Sequence, residues 1–153
     1  MTIKYLKDVS VDGKKVLLRV DYNVPYAKQM SITDDTRITA TVPTIQYCID
    51  RKATIILVSH LGRPKGKPVP EMSLKPVARK LTEVLKKEVK FIETPLGEKL
   101  KAEIDALPAG SIVLLENIRF YPGEEKNDKV LGKQLASLCD VYVDDAFAAA
   151  HRG

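Results

Sequence analysis

The chain has 153 residues, of which 44% are hydrophobic and 29% charged, and its formal net charge is +5. This length suits one domain with one substantial core, and the composition is ordinary for a soluble globular protein. No apolar run approaches the roughly 20 residues that cross a bilayer, and the first residues lack the apolar core of a secretory signal. We therefore expect a cytoplasmic protein without a membrane partner.

The surplus of positive charge does not by itself indicate a nucleic-acid partner. Lysines alternate with glutamates in LTEVLKKEVK and GEKLKAEID, a pattern typical of solvated helix faces, and few aromatic residues lie among them. We expect no nucleic-acid binding; the alternative requires an affinity for DNA or RNA that falls steeply with salt. Cys48 and Cys139 each lie in an apolar periodic segment, which predicts buried free thiols; the count alone also permits a disulfide, although nothing else indicates an oxidising compartment.

Short aliphatic runs alternate with longer helical patterns along the chain. In chain order the sequence predicts a strand at Val16–Val20, a helix on Ile38, Val42, Ile45 and Ile49, a strand at Ile55–Ser59, a helix from Leu74 to Leu85, a strand at Val89–Ile92, a helix on Leu100, Ile104 and Leu107, a strand at Ile112–Leu115, a helix on Leu131, Leu135 and Leu138, and a strand at Val141–Val143. Strands that are aliphatic on both faces and separated by helices imply a doubly wound parallel α/β sheet, a Rossmann-like three-layer sandwich.

Prolines and small polar residues predict where three of these helices begin or end. Pro43 falls inside the first helical pattern, which indicates either a kink or a later true start. Ser73 is the predicted N-cap of the second helix, and Pro76 lies in its first turn, where a missing N–H costs little. Pro108-Ala109-Gly110 ends the third.

Polar and cationic residues follow four of the five predicted strands. In an open parallel sheet, ligands bind beyond the carboxyl ends of the strands. Asp21 and Asn23 follow the first strand, His60 and Arg63 the second, Arg119 the fourth, and Asp144, Asp145, His151 and Arg152 the fifth, whereas Glu93-Thr94-Pro95 after the third adds no cationic group to this rim. Arg37 joins them at a helix start behind Asp34-Asp35-Thr36. Since the guanidinium fork suits phosphate or carboxylate, these residues predict an anion site.

Each of these residues also has an ordinary structural explanation when taken alone. Asp21 could pair with Arg19 or Arg37, Asn23 could shape the turn before Pro25, and Asp144 and Asp145 are interpreted as capping or loop-ordering acids. The run GRPKGKP is not a phosphate-binding P-loop, because its glycines are one residue too close and a proline replaces the Ser or Thr. No G-x-G-x-x-G follows a strand, so side chains are expected to bind the anion.

Five runs carry a family resemblance: RVDYNVP, ITDDTRI with PTI following, SHLGRP, LLENIRFYPGEE and VDDAFAAAHR. In order and spacing they resemble the amino-terminal domain of the phosphoglycerate kinase family, over essentially the whole chain. The resemblance implies one lobe of a two-lobe glycolytic transferase that moves phosphate between 1,3-bisphosphoglycerate and ADP, giving 3-phosphoglycerate and ATP. In that family one lobe holds 3-phosphoglycerate and the other holds Mg²⁺ with ATP or ADP, so no cofactor is expected on this chain.

The resemblance also implies a role for each candidate residue. Asp21 and Asn23 would contact the glycerate end of the substrate, and Arg37 would face its carboxylate and stabilise charge on the phosphoryl group in transit. His60, Arg63, Arg119 and Arg152 would hold the 3-phosphate. The sequence departs from the family at Asp144, where asparagine is usual, at Ala148, where glycine is common, and mildly at Tyr22, where phenylalanine is common.

The largest departure from the family is length. The nucleotide lobe is absent, as is the part of the amino-terminal lobe that follows Gly153 in the family. We therefore expect residues 1–153 to be a monomeric, carboxyl-terminally truncated 3-phosphoglycerate-binding domain, a fragment whose partner is the nucleotide lobe and which is inactive alone. The alternative is a stand-alone anion-binding module without catalysis.

Overall fold

The computed structural model of the chain describes residues 10–20, 22, 32, 36–59, 73–94, 97–117 and 133–143. Its elements, in chain order, are β1 (Lys15–Arg19), α1 (Thr36–Thr39), α2 (Val42–Asp50), β2 (Thr54–Val58), α3 (Lys75–Leu85), β3 (Lys90–Ile92), α4 (Glu98–Asp105), β4 (Ile112–Leu115) and β5 (Val141–Val143). A further helical turn occupies residues 133–136.

The five strands form one parallel sheet in the order β3-β4-β2-β1-β5. β2 lies between β1 and β4, with Leu57 opposite Leu18 on one side and Leu114 on the other. All four residue positions of β4 and all five of β2 are buried. A central strand buried on both faces is what a helix-covered parallel sheet requires, so the predicted α/β class is confirmed.

Alternate strand residues belong to two separate apolar cores, one on each face of the sheet. Along β2, Ile55 and Leu57 lie in the core covered by α1, α2 and α3, whereas Ile56 and Val58 lie in the core covered by α4 and the turn at 133–136. This division follows from the strand period of two, which directs successive side chains to opposite faces. The first three helices therefore cover one face, and the later ones the other.

The break at Pro43 is a true helix start. α1 is a single turn that ends at Thr39, and α2 begins at Val42 with Pro43 in its first turn. Since the first-turn N–H groups of a helix have no intrahelical partner, proline is accommodated there without the loss of a hydrogen bond. Of the two alternatives that the sequence left open, the later start is the correct one.

Several predicted boundaries are corrected by one or two residues. β1 and β2 each begin and end one residue earlier than predicted, β3 begins at Lys90, and α4 ends at Asp105, before Leu107. Leu107 nevertheless packs against the second core. Leu131 lies outside the described residues, while Leu135 and Leu138 are buried in the second core. The apolar pattern thus located the elements. It also extended some of them to apolar residues in the adjoining segments, namely Val20, Val89 and Leu107.

Both cysteines are free thiols, but only one is fully buried. Cys48 is buried in the first core, and Cys139 is half-buried beside the second, which corrects the expectation of two buried thiols. Burial raises the pKa of each thiol to about 11. No helix within the described ranges has the length and apolar character needed to span a membrane.

The two-sided burial of β2 can be tested with Leu57→Ala. The fully buried Leu57 side chain lies in the first core, so its truncation is expected to lower the free energy of unfolding by about 2–5 kcal/mol through lost burial and a residual cavity. Glu83→Ala on α3 is the control, since Glu83 is largely exposed and only 3.9 Å from Lys80, a pair worth little. Urea unfolding followed by circular dichroism measures both. Similar losses in the two variants would contradict the buried central strand.

Candidate functional site

The strand order predicts a ligand crevice at the carboxyl ends of β2 and β4. These strands are neighbours, yet the chain leaves β2 for α3 on the first face and leaves β4 for the 133–136 turn on the second face. Connections that diverge in this way open a gap between the strand ends, where ligands of parallel sheets bind. The described residues at this gap are Ser59 after β2, and Glu116 and Asn117 after β4.

Polar side chains at this crevice are almost completely shielded from solvent. The exposed fraction is 1% for Ser59, 8% for Glu116 and 0% for Asn117. Leu57 lies opposite Leu114, so the same register carries Ser59 opposite Glu116 two residues further on. Buried polar groups are tolerated only when they are hydrogen-bonded, and the contacts of Ser59 and Glu116 determine how the site is held together.

Ser59 joins the ends of β1 and β2. Its Oγ accepts a hydrogen bond of 2.8 Å from the backbone N–H of Tyr22, and Val20 N–H donates to Val58 O at 2.9 Å just before it. Pairing between β1 and β2 therefore continues past the last strand residue through a side chain. This contact fixes the backbone of Tyr22, which stands between Asp21 and Asn23 in the sequence.

Glu116 anchors the start of α3. Its carboxylate accepts hydrogen bonds from the Ser73 hydroxyl at 2.7 Å, from Leu74 N–H at 2.9 Å and from Asn117 N–H at 2.8 Å. An anion at a helix N-terminus is stabilised by the free N–H groups and by the helix dipole. This carboxylate therefore fastens Ser73 and Leu74, which immediately precede α3, to the end of β4.

The predicted N-cap at Ser73 is corrected by one residue. Leu74 occupies the N-cap position of α3 and makes no side-chain capping bond. Ser73 still satisfies a first-turn donor, because its Oγ accepts from Lys75 N–H at 3.2 Å while its hydroxyl hydrogen goes to Glu116. Ser73 therefore bonds the first turn as expected, but from the position before the N-cap, and the buried carboxylate of Glu116 is its second partner.

Tyr22 links the end of β1 to the α1–α2 junction. Its side chain is fully buried, and its hydroxyl lies 2.6 Å from the Thr41 Oγ1. Burial raises the pKa of Tyr22 above its usual range, and the hydrogen bond to Thr41 only partly offsets this. The hydroxyl therefore stays protonated and able to donate across the physiological pH range.

Arg37 is the one predicted site residue that lies within the described part of the chain. It is the second residue of α1, it is exposed, and the turn that carries it is fastened through Ile38 and Thr41. The other predicted site residues fall outside the described ranges: Asp21, Asn23, His60, Arg63, Arg119 and Arg152. The first five of these lie within four residues of a described anchor, namely Tyr22, Ser59 or Asn117.

Sequence patterns did not predict the residues that organise the crevice. Ser59 and Glu116 carried a usable signal, because each is a polar residue placed directly after an aliphatic run that ends a strand. Tyr22 and Thr41 carried none, since their partnership spans 19 positions and depends on how α1 and α2 pack against the sheet.

Comparison with known proteins gives a consistent result. The family model described as phosphoglycerate kinase matches residues 6–153. The chain is 50% identical over 153 residues to a phosphoglycerate kinase from Citrifermentans bemidjiense, covering 99% of this chain and 38% of the relative. It is 51% identical over 150 residues to one from Desulfosudis oleivorans, again covering 38% of that relative.

Solved structures agree. The phosphoglycerate kinase structure from Coxiella burnetii superposes with a TM-score of 0.81 at 39% identity, covering 97% of this chain and 38% of that one. The structure from Pyrococcus horikoshii OT3 gives 0.78 at 35% identity, covering 98% of this chain. The chain thus spans about two fifths of the length of the proteins it resembles.

The anchoring role of Glu116 predicts a graded loss of stability. Glu116→Ala leaves the Ser73 hydroxyl, Leu74 N–H and Asn117 N–H without their acceptor, so the free energy of unfolding is expected to fall by at least about 2 kcal/mol. Glu116→Gln keeps one acceptor oxygen and is expected to lose less.

The control for this comparison is Glu88→Ala, which removes an exposed carboxylate in the turn after α3. Urea unfolding of the three variants, with amide exchange at Leu74 as the local readout, measures the effect. If Glu116→Ala costs no more than Glu88→Ala, the carboxylate does not anchor the helix.

Proposed function

The chain belongs to the phosphoglycerate kinase family, whose model matches residues 6–153, and we propose that it forms the 3-phosphoglycerate-binding lobe of such a kinase. The activity proposed for the whole protein is reversible phosphate transfer between 1,3-bisphosphoglycerate and ADP. The observation that carries the proposal is the coincidence of this match with a strand order that reverses direction at the carboxyl ends of β2 and β4. The predicted cationic residues His60, Arg63 and Arg119 follow those two strands in the sequence.

The proposed substrate contacts divide into three groups. Asp21 and Asn23, on either side of the anchored Tyr22, bind the glycerate end. Arg37 faces the carboxylate, and His60, Arg63, Arg119 and Arg152 hold the 3-phosphate. Three arginines suit this phosphate because each presents parallel N–H donors that form charge-assisted hydrogen bonds to phosphate oxygens.

Phosphoryl transfer leaves little covalent work for the protein. Catalysis comes from aligning acceptor and donor, excluding water and offsetting the charge that develops on the transferred group. In this proposal Arg37 supplies positive charge to the transition state, while the phosphate-holding residues act mainly in binding. Mg²⁺ with ATP or ADP is bound by the other lobe, so closure of the two lobes must precede each transfer.

By itself, this chain is proposed to bind substrate without turnover, as a monomer in the cytoplasm. The second candidate is a stand-alone anion-binding module, which the same cluster of arginines would serve. The two differ in their ligand selectivity. A substrate lobe prefers 3-phosphoglycerate to inorganic phosphate, because carboxylate and hydroxyl contacts add to those of the phosphate, whereas a phosphate module binds both alike.

Ligand selectivity can be measured by titrating this chain with 3-phosphoglycerate and, separately, with inorganic phosphate. Saturable changes are expected in the amide signals of Ser59, Glu116 and Asn117. Gly13 and Gly110 are internal controls, because they precede β1 and β4 at the amino ends of these strands. 3-Phosphoglycerate is expected to bind more tightly. Equal affinity for the two ligands would favour the anion module, and unchanged spectra at high ligand would refute both.

The role of Arg37 can be tested by mixing the chain with a separately made nucleotide-binding lobe. ATP-dependent phosphorylation of 3-phosphoglycerate is expected to appear, and Arg37→Ala is expected to lower turnover about 100-fold or more while weakening substrate binding far less. Arg51→Ala is the control, because Arg51 precedes β2 and so lies near the amino ends of the strands, away from the proposed site. Equal losses of turnover and binding in Arg37→Ala would contradict the transition-state assignment.

A further inference from the structure

The side chain of Tyr22 makes a contact that burial alone does not explain. Leaving the end of β1, it crosses the first core, and its hydroxyl reaches the Thr41 Oγ1 at 2.6 Å between α1 and α2. Thr41 is only 2% exposed. A phenyl ring would fill nearly the same apolar volume, so the hydroxyl adds a directional bond to an otherwise apolar contact.

The direction of each hydrogen bond in this link is determined by its partners. The Thr41 Oγ1 also lies 2.7 Å from the carbonyl oxygen of Ile38, which can only accept. Thr41 has a single hydroxyl hydrogen, and it goes to Ile38. Tyr22 must therefore be the donor in its bond to Thr41. The result is a directed chain from Tyr22 through Thr41 to Ile38, the residue after Arg37.

Thr41 gives up an ordinary role to make this link. It is the N-cap of α2, where a threonine oxygen usually accepts from an N–H of the first turn, yet it makes no such bond. Pro43 contributes to this, because it has no N–H to donate. The hydroxyl is instead committed at both ends, to Tyr22 and to Ile38.

The link joins two groups of proposed substrate contacts. On one side is Tyr22, whose N–H is held by Ser59 and whose sequence neighbours are Asp21 and Asn23. On the other is α1, a single turn of four residues that carries Arg37. A turn this short has few bonds of its own: Ala40 N–H donates to Thr36 O, and Thr41 N–H donates to Ile38 O. Its placement therefore depends on external contacts.

We propose that Tyr22 and Thr41 are positioning residues of the kinase, which hold the α1 turn so that Arg37 meets the substrate bound at the end of β1. The inference rests on the proposed function, since it assigns a purpose to the placement of Arg37. Neither side chain touches substrate; they act through Arg37. A small displacement of a charge that serves a transition state costs turnover even where substrate binding is preserved.

The first test uses the chain alone and removes only the hydroxyl. Tyr22→Phe is expected to accelerate amide exchange at Ala40 and Thr41, with the amide of Ala78 in α3 as the internal reference. Thr41→Val should reproduce this effect, and Thr41→Ser, which keeps the hydroxyl, should not. Tyr47→Phe is the matched control, since the Tyr47 hydroxyl makes no hydrogen bond within the part of the chain that the structure describes. Unchanged exchange at Ala40 and Thr41 in Tyr22→Phe would overturn the proposal.

The second test measures turnover with the nucleotide-binding lobe added. Tyr22→Phe is expected to lower turnover about three- to tenfold, the range expected for one buried hydrogen bond, with the Kd for 3-phosphoglycerate nearly unchanged. In an Arg37→Ala background the same substitution should have no further effect, because the link acts through Arg37. Full turnover in Tyr22→Phe, or an additive loss in the double variant, would overturn the positioning role.

Failure of the proposed function would be distinguishable from failure of this inference. A wild-type chain that neither binds 3-phosphoglycerate nor yields turnover with the second lobe contradicts the substrate-lobe proposal, and with it the catalytic purpose of the link. A wild-type chain that is active while Tyr22→Phe is equally active contradicts only the inference. Faster exchange and lower turnover in Tyr22→Phe and in Thr41→Val, with wild-type values of both in Thr41→Ser, would support it.

Discussion

The burial of the parallel sheet on both faces is the constraint on which the rest of the structure depends. Because helices cover both sides, the central strands can carry only apolar side chains along their length, as β2 does from Ile55 to Val58. Polar chemistry is confined to the points where strands end. The candidate site lies at those points because a polar side chain placed elsewhere on these strands would be buried in an apolar core without a hydrogen-bond partner, and could not reach a charged ligand.

The strand ends in turn require internal partners, since they are still shielded from water. Ser59 accepts from Tyr22, and Glu116 accepts from the start of α3. These contacts satisfy buried polar groups and at the same time connect β1 to β2 and β4 to α3. Rigid strand ends of this kind are a suitable base for loops that bind an anion, because the loops begin from fixed positions.

Arg37 illustrates how a function-bearing residue depends on distant ones. It is exposed on a turn of four residues, too short to be stable by itself. The α1 turn receives external support from Thr41 and Tyr22, whose hydroxyls are buried where water cannot replace either bond. A low-dielectric surrounding strengthens such a chain of hydrogen bonds and makes any break in it costly.

The sequence by itself determined the fold class, the five strands and the family, because these follow from apolar periodicity and from local motifs such as SHLGRP and RVDYNVP. It also placed Arg37 at a helix start, and its predicted anion-binding residues remain predictions where they fall outside the described ranges. Only the tertiary structure decided the strand order, the later start of α2 at Val42, the anchoring of the start of α3 by Glu116 and the link from Tyr22 to Thr41. The physical reason is range: periodicity reports one element at a time, whereas a hydrogen bond across 19 or 42 positions forms only after helices have packed on the sheet.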